Sequence, residues 1–227
     1  MSKVETVYYH PYYVNTDTDF SYFLELMEMN YDLELVQPPH KKYYKSRLDL
    51  CPAINVYDNH TYILRSPVSI DLHYNYETGI WNELTPSGCT DYLIERPNDN
   101  KPYVQLAIYF IFWTEEKTNI KLWQHDPPLY TLNSLPTWYT VAGMIPISEY
   151  TRNTSVGFAL RPGEDFIRIN RGDAISAFTF TGESKVQLIK KEPPLSILQQ
   201  NTENSKKRKL CPYTFSRRIF SKWLGKE

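Results

Sequence analysis

The chain has 227 residues, which is the length of one sandwich- or barrel-sized domain. Its formal net charge is −1, so no global charge would draw it to nucleic acid or membranes. Aromatic residues make up 15% of it, and the 19 tyrosines favour β-strands. The 3 cysteines, Cys51, Cys89 and Cys211, form no Cys-x-x-Cys pair, so we expect neither a thiolate zinc site nor a disulfide framework.

The N-terminal fifty residues are predicted to form an extension, residues 1–50, that contains a strand and a short helix. Val4 to Val14 has the composition of a strand, which Pro11 would restrict to the edge of a sheet. Asp17 to Met29 is predicted to be a helix, because Phe20, Phe23, Leu24 and Met27 fall at helical spacing. Met1 to His10 has no apolar h-region, so we expect no signal peptide.

A β-rich core domain is predicted over residues 51–195. Between Val68 and Tyr74, apolar and polar residues alternate, which indicates a strand with one solvated face. Tyr103 to Thr114 is almost wholly apolar and predicts a central strand buried on both faces, but it is too short to span a bilayer. Ile120 to Gln124 is predicted to be its hairpin partner.

The strongest fold signal lies between Trp138 and Phe180, where Pro, Gly and Asn separate four short β-like runs. One separator, Arg171-Gly-Asp, is interpreted as a tight hairpin turn rather than an adhesion motif. The sequence therefore predicts a mainly β fold. The finer prediction is a single β-sandwich or β-clip-like barrel with a short N-terminal helix and a C-terminal amphipathic helix.

Residues 196–227 are predicted to be a linker and a basic C-terminal helix. Leu195 to Gln200 is expected to form a short helical turn, Asn201 to Lys209 a linker, and Tyr213 to Leu224 the amphipathic helix. From residue 201 onwards the chain has eight Lys and Arg residues but only two Glu residues. Because the whole chain has a net charge of −1, the rest of it carries a net charge of about −7. The predicted interaction tail consists of Lys206, Lys207, Arg208, Lys209, Arg217, Arg218 and Lys222.

Residues that would support chemistry are few. No P-loop, Gly-x-Ser-x-Gly or Gly-x-Gly-x-x-Gly motif occurs, which argues against a P-loop hydrolase and a Rossmann oxidoreductase. The histidines show no metal-ligand spacing, so we expect neither a metal nor a cofactor. If the β domain contains a pocket, the candidates for its polar lining are Asp71, His73, His125, Glu149 and Arg152.

Two resemblances bear on these predictions. The first depends on three features: the segment Met144-Ile-Pro-Ile-Ser-Glu-Tyr, the arginine and the Arg-Gly-Asp-x-Ile segment that follow it, and the segment Lys209-Leu-Cys-Pro-Tyr-Thr-Phe. Together they resemble an uncharacterised family of phage-encoded β-rich proteins, and the likeness spans residues 50–220. This likeness brings no activity with it. The segment that begins at Gly163-Glu-Asp-Phe-Ile-Arg-Ile and runs to Phe180 is similar to the closing hairpin of β-clip proteins such as dUTPases and dCTP deaminases. The chain lacks their phosphate loop and nucleoside segment, which puts that activity in doubt.

The favoured hypothesis is a non-enzymatic binding or assembly protein, with a protein partner or self-association. One alternative is an enzyme or small-ligand binder, nucleotide-related or metal-dependent, with its pocket in the β domain. A second alternative is nucleic-acid binding through the basic tail. We expect an intracellular protein, located in the host cytoplasm if it is phage-encoded, with virion association as the other option.

Overall fold

The computed structural model describes residues 4–12, 33–35, 60–83, 94–95, 102–127, 136–149, 151, 153–182 and 185–210. These residues form fourteen strands and one helix. The elements are β1 (Val4–Tyr12), β2 (Leu33–Leu35), β3 (Thr61–Arg65), β4 (Ile70–Asn75), β5 (Ile80–Glu83), β6 (Ile94–Glu95), β7 (Tyr103–Trp113), β8 (Lys121–His125), β9 (Trp138–Thr140), β10 (Gly143–Pro146), β11 (Asn153–Leu160), β12 (Phe166–Ile169), β13 (Ala174–Thr181), β14 (Lys185–Lys190) and α1 (Leu195–Leu210).

The strands form three sheets. The six-stranded sheet has the order β14-β1-β7-β11-β9, with β6 also paired to β7. The five-stranded sheet has the order β10-β8-β13-β3-β2, and the three-stranded sheet has the order β12-β4-β5. Only the β1–β14 pair is parallel among the described pairs, and none of the described sheets closes on itself. The prediction of a mainly β fold is confirmed.

The core lies where the two larger sheets meet. Phe110 and Phe112 of β7 face Phe178 and Phe180 of β13, with ring centroids 5.6–6.1 Å apart. All four side chains are at most 3% exposed. Tilted and edge-to-face aromatic pairs at this distance contribute about 0.5–1.5 kcal/mol each beyond the burial of their area. This aromatic contact joins the six-stranded sheet to the five-stranded one.

The predicted central strand is confirmed, but its predicted partner is wrong. β7 lies between β1 and β11, and its side chains from Phe110 to Trp113 are buried on both faces of the sheet. β8 does not form a hairpin with β7; it pairs with β13 and β10 in the five-stranded sheet. The segment Thr114–Ile120 therefore carries the chain from one layer to the other instead of reversing it within one sheet.

The prediction of an edge position for the first strand also needs correction. β1 is an interior strand, paired with β14 on one side and with β7 on the other. Pro11 is nevertheless tolerated, because the ladder with β14 ends at Tyr9, opposite Lys190, while the ladder with β7 continues to Tyr12. A proline disrupts a sheet only where its missing N–H would have donated to a neighbour.

A corner formed by the turns Ser66–Ser69 and Asn170–Asp173 connects the five-stranded and three-stranded sheets. β3 continues through the first turn into β4, and β12 continues through the second into β13. Because β3 pairs with β13 and β4 pairs with β12, the two segments leave one sheet and enter the other side by side. The prediction of a hairpin at Arg171-Gly-Asp is therefore wrong, since β12 and β13 belong to different sheets.

Reciprocal backbone hydrogen bonds hold the corner together. The Ser66 N–H donates to the Asp173 carbonyl and the Gly172 N–H donates to the Ser66 carbonyl, both at 2.8 Å. Arg65 Nη1 donates to the Gly172 carbonyl at 3.0 Å. The Asp173 carboxylate accepts from the backbone N–H of Asn170 at 2.8 Å. The Arg-Gly-Asp tripeptide thus forms a turn that is bonded across the corner.

The helix α1 is longer than predicted. The carbonyl of Pro194 accepts the first helical hydrogen bonds, from Ile197 at 2.9 Å and Leu198 at 3.2 Å. The prediction of a linker over residues 201–209 is wrong, because the helix continues to Leu210. Asn201 is only 2% exposed, and Asn204 Nδ2 donates to the Thr151 carbonyl at 2.8 Å. The Asn204 amide therefore anchors a helix that has little apolar periodicity, whereas Asn201 Oδ1 is buried without a hydrogen-bond partner among the described residues.

Two predicted helices, over residues 17–29 and 213–224, lie outside the described residues, as do the three cysteines. Within the described part, no helix combines the length and apolar character needed to cross a membrane. The solvated face predicted for Val68 to Tyr74 is confirmed, because Ile70 and Leu72 are buried while Asp71 and His73 are partly exposed.

We expect the corner to depend on the left-handed backbone at Gly172. Its φ is +88°, and a Cβ added there meets nothing within 4 Å. Gly172→Ala should therefore lower the free energy of unfolding by about 1–2 kcal/mol through conformational strain alone. Gly143→Ala is the matched control, because Gly143 has equally open surroundings and no positive φ. Urea denaturation of both variants tests this, and equal stabilities would contradict it.

Candidate functional site

Asp71 and His73 lie on the solvated face of the three-stranded sheet. Arg168 on the neighbouring strand β12 donates to Asp71 Oδ2 from Nε at 3.2 Å and from Nη2 at 3.0 Å. His73 Nε2 lies 3.4 Å from Asp165 Oδ2. Opposite charges facing one another across strands contribute about 0.2–1 kcal/mol on an exposed face. Asp71 thus belongs to a cross-strand ion pair with Arg168, and His73 lies beside the Asp165 carboxylate.

His125 lies in another sheet, in a buried row of polar side chains. His125 Nε2 is 2.8 Å from Thr179 Oγ1, which is 2.7 Å from Thr61 Oγ1. On its other side, Nδ1 is 2.7 Å from the Asp126 carbonyl oxygen. Because a carbonyl only accepts, Nδ1 must donate, and in the neutral ring Nε2 then accepts the Thr179 hydroxyl proton. The geometry therefore fits the neutral Nδ1–H form of His125.

The electrostatics of His125 agree with that form. Burial lowers the pKa of the His125 imidazole below its usual value of 6.5, and the Asp126 carbonyl and carboxylate oppose the shift only in part. His125 is 7% exposed, and Thr179 and Thr61 are at most 1% exposed. A side chain without solvent access is poorly placed to act on a substrate. The row therefore stabilises the sheet instead of exposing a base.

The predicted site residues do not converge. Asp71 and His73 are on β4 of the three-stranded sheet, whereas His125 is on β8 of the five-stranded sheet. Glu149 lies in the turn after β10, and Arg152 lies outside the described residues. Among the described residues, no three His, Cys, Asp or Glu side chains form a group suited to a metal ion.

Glu149 does line a cavity, with a volume of about 480 Å³, which is within the range of small-ligand sites. It lies between the segment after β7, the turn after β10 and the start of α1. Its lining residues are Thr114, Glu115, Glu116, Lys117, Ile147, Ser148, Glu149, Thr151, Ile197 and Gln200.

Hydrogen bonds fix the walls of this cavity. The Ser148 hydroxyl donates to the Thr118 carbonyl at 2.6 Å and accepts from the Thr118 N–H at 3.0 Å. The bond from Asn204 to the Thr151 carbonyl holds α1 against the opposite wall. The Ser148 proton is given to a carbonyl and, among the described residues, not to a base that would activate the hydroxyl as a nucleophile.

The charged side chains around the cavity differ in whether they form ion pairs. Glu115 accepts a hydrogen bond of 2.8 Å from Lys191, and this contact lowers the pKa of the Glu115 carboxyl and raises that of the Lys191 ammonium. The Glu116 and Glu149 side chains are exposed and have no ion-pair partner among the described residues. Among the described lining residues, Lys117 is the one cation. Within the described part of the chain, the cavity therefore presents two carboxylates without an ion-pair partner.

A second feature is the Trp123 surface, which we define as Trp123, Met144 and the backing residues His125 and Thr179. Met144 on β10 lies directly opposite Trp123 on β8. Their side chains are 57% and 38% exposed, respectively. The Trp123 ring lies on the His125 ring, with centroids 4.2 Å apart. An exposed Trp–Met pair thus rests on the buried polar row.

The basic residues of the predicted tail are only partly described. The backbone of Lys206 to Lys209 forms the last part of α1, whereas Arg217, Arg218 and Lys222 lie outside the described residues. Cations at the C-terminal end of a helix interact favourably with its dipole. The structure therefore carries at least one basic cluster on a helix.

The described residues define a mainly β protein with a ligand-sized cavity beside its helix and an exposed aromatic surface on one sheet. Comparison of the chain with protein-family models, with curated proteins and with solved structures finds no match. The function of this protein is therefore inferred from the Trp123 surface and the cavity.

The sequence did not point to the Trp123 surface or to Glu116. Lys121 to Gln124 alternates, but alternation alone does not tell which of Leu122 and Trp123 faces the core. The run Glu115-Glu116-Lys117 had the composition of a surface turn. Its local concentration of charge, beside a buried strand end, was the one available signal.

We expect Thr179→Val to destabilise the protein, because it removes the hydroxyl that bonds His125 Nε2 and Thr61 Oγ1 in the buried row. The expected loss in the free energy of unfolding is about 1–3 kcal/mol. Thr181→Val on the same strand is the control, since Thr181 is half-buried and its hydroxyl makes only a 3.4 Å contact with the Lys121 carbonyl. That change should stay within about 0.5 kcal/mol. Chemical denaturation of both variants measures this, and similar losses would refute the role of the row.

Stability should decrease as the pH falls below the usual histidine pKa. Burial lowers the pKa values of His10, His60 and His125, so the unfolded chain binds protons at a higher pH than the folded chain does. The free energy of unfolding should fall from pH 7.5 to 5.5, about one unit either side of 6.5. Urea titrations across this window should show a smaller slope for His125→Gln than for the wild type. An unchanged slope would count against the His125 contribution.

Proposed function

We propose that this protein is a non-enzymatic binding or assembly protein that engages a protein partner through the Trp123 surface. The observation that carries the proposal is the exposure of Met144 and Trp123 side by side on one sheet face. Trp is the residue most enriched among energetically dominant contacts, and Met is enriched at interfaces. Large apolar groups exposed in contact with one another mark interaction sites more strongly than scattered ones.

The backing of the Trp123 surface supports the same proposal. The Trp123 indole lies on the His125 imidazole, whose two ring nitrogens are both hydrogen-bonded. The His125 ring is therefore held in one orientation, and it provides a fixed base for the indole. A side chain that is already ordered loses less conformational entropy when a partner binds. Preorganisation of this kind favours a binding role.

The strand edge next to this surface is a poor docking site. The Ile147 N–H donates to the Ile120 carbonyl, so strand alternation places Pro146 where an N–H would point outwards from β10. The Pro146 carbonyl already accepts from the Glu149 N–H at 3.2 Å. Within the described part of the chain, Met144 is the residue of β10 whose N–H and carbonyl both point outwards without a hydrogen-bond partner. We therefore propose that the partner binds the side-chain face and does not extend the sheet.

Two finer interpretations accompany this proposal. The aromatic contact between β7 and β13 supports a sandwich arrangement of the two larger sheets, with the three-stranded sheet beyond the corner. The resemblance of the Met144-Ile-Pro-Ile-Ser-Glu-Tyr segment to a phage-encoded family supports a phage origin. Neither interpretation adds an activity to the proposed binding role.

Trp123→Ala should weaken partner binding by roughly tenfold or more, as expected when a central aromatic contact is truncated. The tagged full-length chain is used to isolate partners from the cells that produce it, and the affinity of each purified partner is then measured by calorimetry. Ile80→Ala is the control, because Ile80 is 54% exposed but lies on the three-stranded sheet. Retention of the partner by Trp123→Ala with unchanged affinity would overturn the proposal, as would the absence of any partner.

A further inference from the structure

We infer that the cavity beside α1 binds a small aliphatic amine in its ammonium form. Three features favour this class of ligand: the fixed walls of the cavity, the charge of its lining, and a hydroxyl group that has no hydrogen-bond partner. The cavity shares no residue with the Trp123 surface, so this binding is a further function, independent of the proposed partner binding.

The cavity has a suitable size for a small ligand, and hydrogen bonds hold its walls. Its volume of about 480 Å³ lies within the range of ligand sites. The Asn204 amide holds α1 to the Thr151 carbonyl, and the bonds between Ser148 and Thr118 hold the turn after β10 to the segment after β7. Walls that are already ordered lose less conformational entropy when a ligand binds.

The charge of the described lining favours a cation. Its ionised side chains are three glutamates and one lysine. Glu115 is paired with Lys191, and Lys117 offsets one further carboxylate, so one negative charge in the described lining stays uncompensated. The two carboxylates without an ion-pair partner among the described residues are those of Glu116 and Glu149. Opposite charges attract and like charges repel, so an ammonium ion is favoured over a phosphate or a carboxylate.

The hydrogen-bonding groups of the lining also suit an ammonium ion. Thr114 Oγ1 is buried and has no hydrogen-bond partner among the described residues. Because Thr114 lines the cavity, rotation about its χ1 can turn this hydroxyl towards a ligand. A hydroxyl and a carboxylate can both accept, and an ammonium group has three donors and no acceptor. A donating ligand therefore gives the Thr114 hydroxyl the partner that it lacks.

The apolar part of the lining suits an aliphatic stem. Ile147, directly after β10, and Ile197, in the first turn of α1, are the apolar side chains of the described lining. Ile147 is only 1% exposed, whereas Glu116 and Glu149 are exposed. An alkylammonium ion places its stem along apolar surface and its charged end towards water, as a lysine side chain does. The order of apolar and acidic groups in the lining matches that of such a ligand.

Titration of the isotope-labelled full-length protein with n-pentylamine, followed through the amide chemical shifts, tests this inference. Shifts should saturate at the cavity, and n-pentanol, which has the same stem without the charge, should cause no saturable shift. Glu149→Gln should bind the amine roughly two- to fivefold more weakly, because it removes one exposed attraction. Glu77→Gln is the matched control, since Glu77 is exposed but lies in the turn after β4 and outside the cavity. Its affinity should equal that of the wild type.

Two further variants separate recognition of the amine from a loss of structure. Lys117→Gln should bind n-pentylamine roughly two- to fivefold more tightly, because it removes the one cation of the described lining. Thr114→Val should bind it more weakly without lowering the free energy of unfolding, because the hydroxyl that it removes has no partner in the free protein. A misfolded variant would show neither of these results.

The outcomes are distinct. Saturable binding of the amine that weakens in Glu149→Gln and strengthens in Lys117→Gln supports the inference. The absence of a saturable shift at the cavity overturns it, as does equal binding of n-pentanol or equal affinity of the Glu149→Gln and Glu77→Gln variants. Inorganic phosphate is the anionic probe, and its saturable binding at the cavity would also overturn it. Trp123→Ala should leave amine binding unchanged, so a failure here does not affect the proposed partner binding.

Discussion

The arrangement of the three sheets depends on the hydrogen bonds across the corner between Ser66–Ser69 and Asn170–Asp173. Two antiparallel segments turn there together, and each supplies strands to two sheets. If the corner opened, β4 and β12 would lose their orientation relative to β3 and β13. The backbone bonds between Ser66 and residues 172–173 pair the N–H and the carbonyl of Ser66, which is buried at the corner. Gly172, one of three described glycines with a positive φ, allows its turn to make them.

The five-stranded sheet carries different chemistry on its two faces, and this difference underlies the proposed function. Phe178 and Phe180 of β13 point into the core, while the alternate residue Thr179 points the other way. Thr179 holds His125, and His125 supports Trp123. The core thus fixes β13, and β13 fixes an exposed indole through a row of hydrogen bonds. A buried polar row has a cost only if a member lacks its partner, and here each ring nitrogen of His125 has one.

The sequence predicted the fold class and the central strand because both depend on local composition. The apolar run of β7 and the alternation around Asp71 need no knowledge of distant residues. Pairing was harder to predict: β8 follows β7 in sequence, but it joins β13, because the choice between a hairpin and a crossing to the other layer depends on long-range packing. The helix over residues 201–209 was missed because it is held by the Asn204 amide and by the buried Asn201, which are polar residues and leave no apolar period. The prediction that the candidate site residues lie together failed for a similar reason, because chain position does not reveal which sheet a strand joins.

The way in which α1 is held explains what it contributes to the cavity. An amphipathic helix with an apolar stripe would be buried along its whole length, and its basic end would lie against the body. The bond from Asn204 and the burial of Asn201 hold α1 against the body, while the exposed side chains of its described part are Leu195, Ser196, Gln199, Gln200, Thr202 and Glu203. The same helix therefore forms a wall of the cavity through Ile197 and Gln200. Because polar contacts hold this helix, and not an apolar stripe, a helix of largely polar sequence can still complete the wall of a cavity.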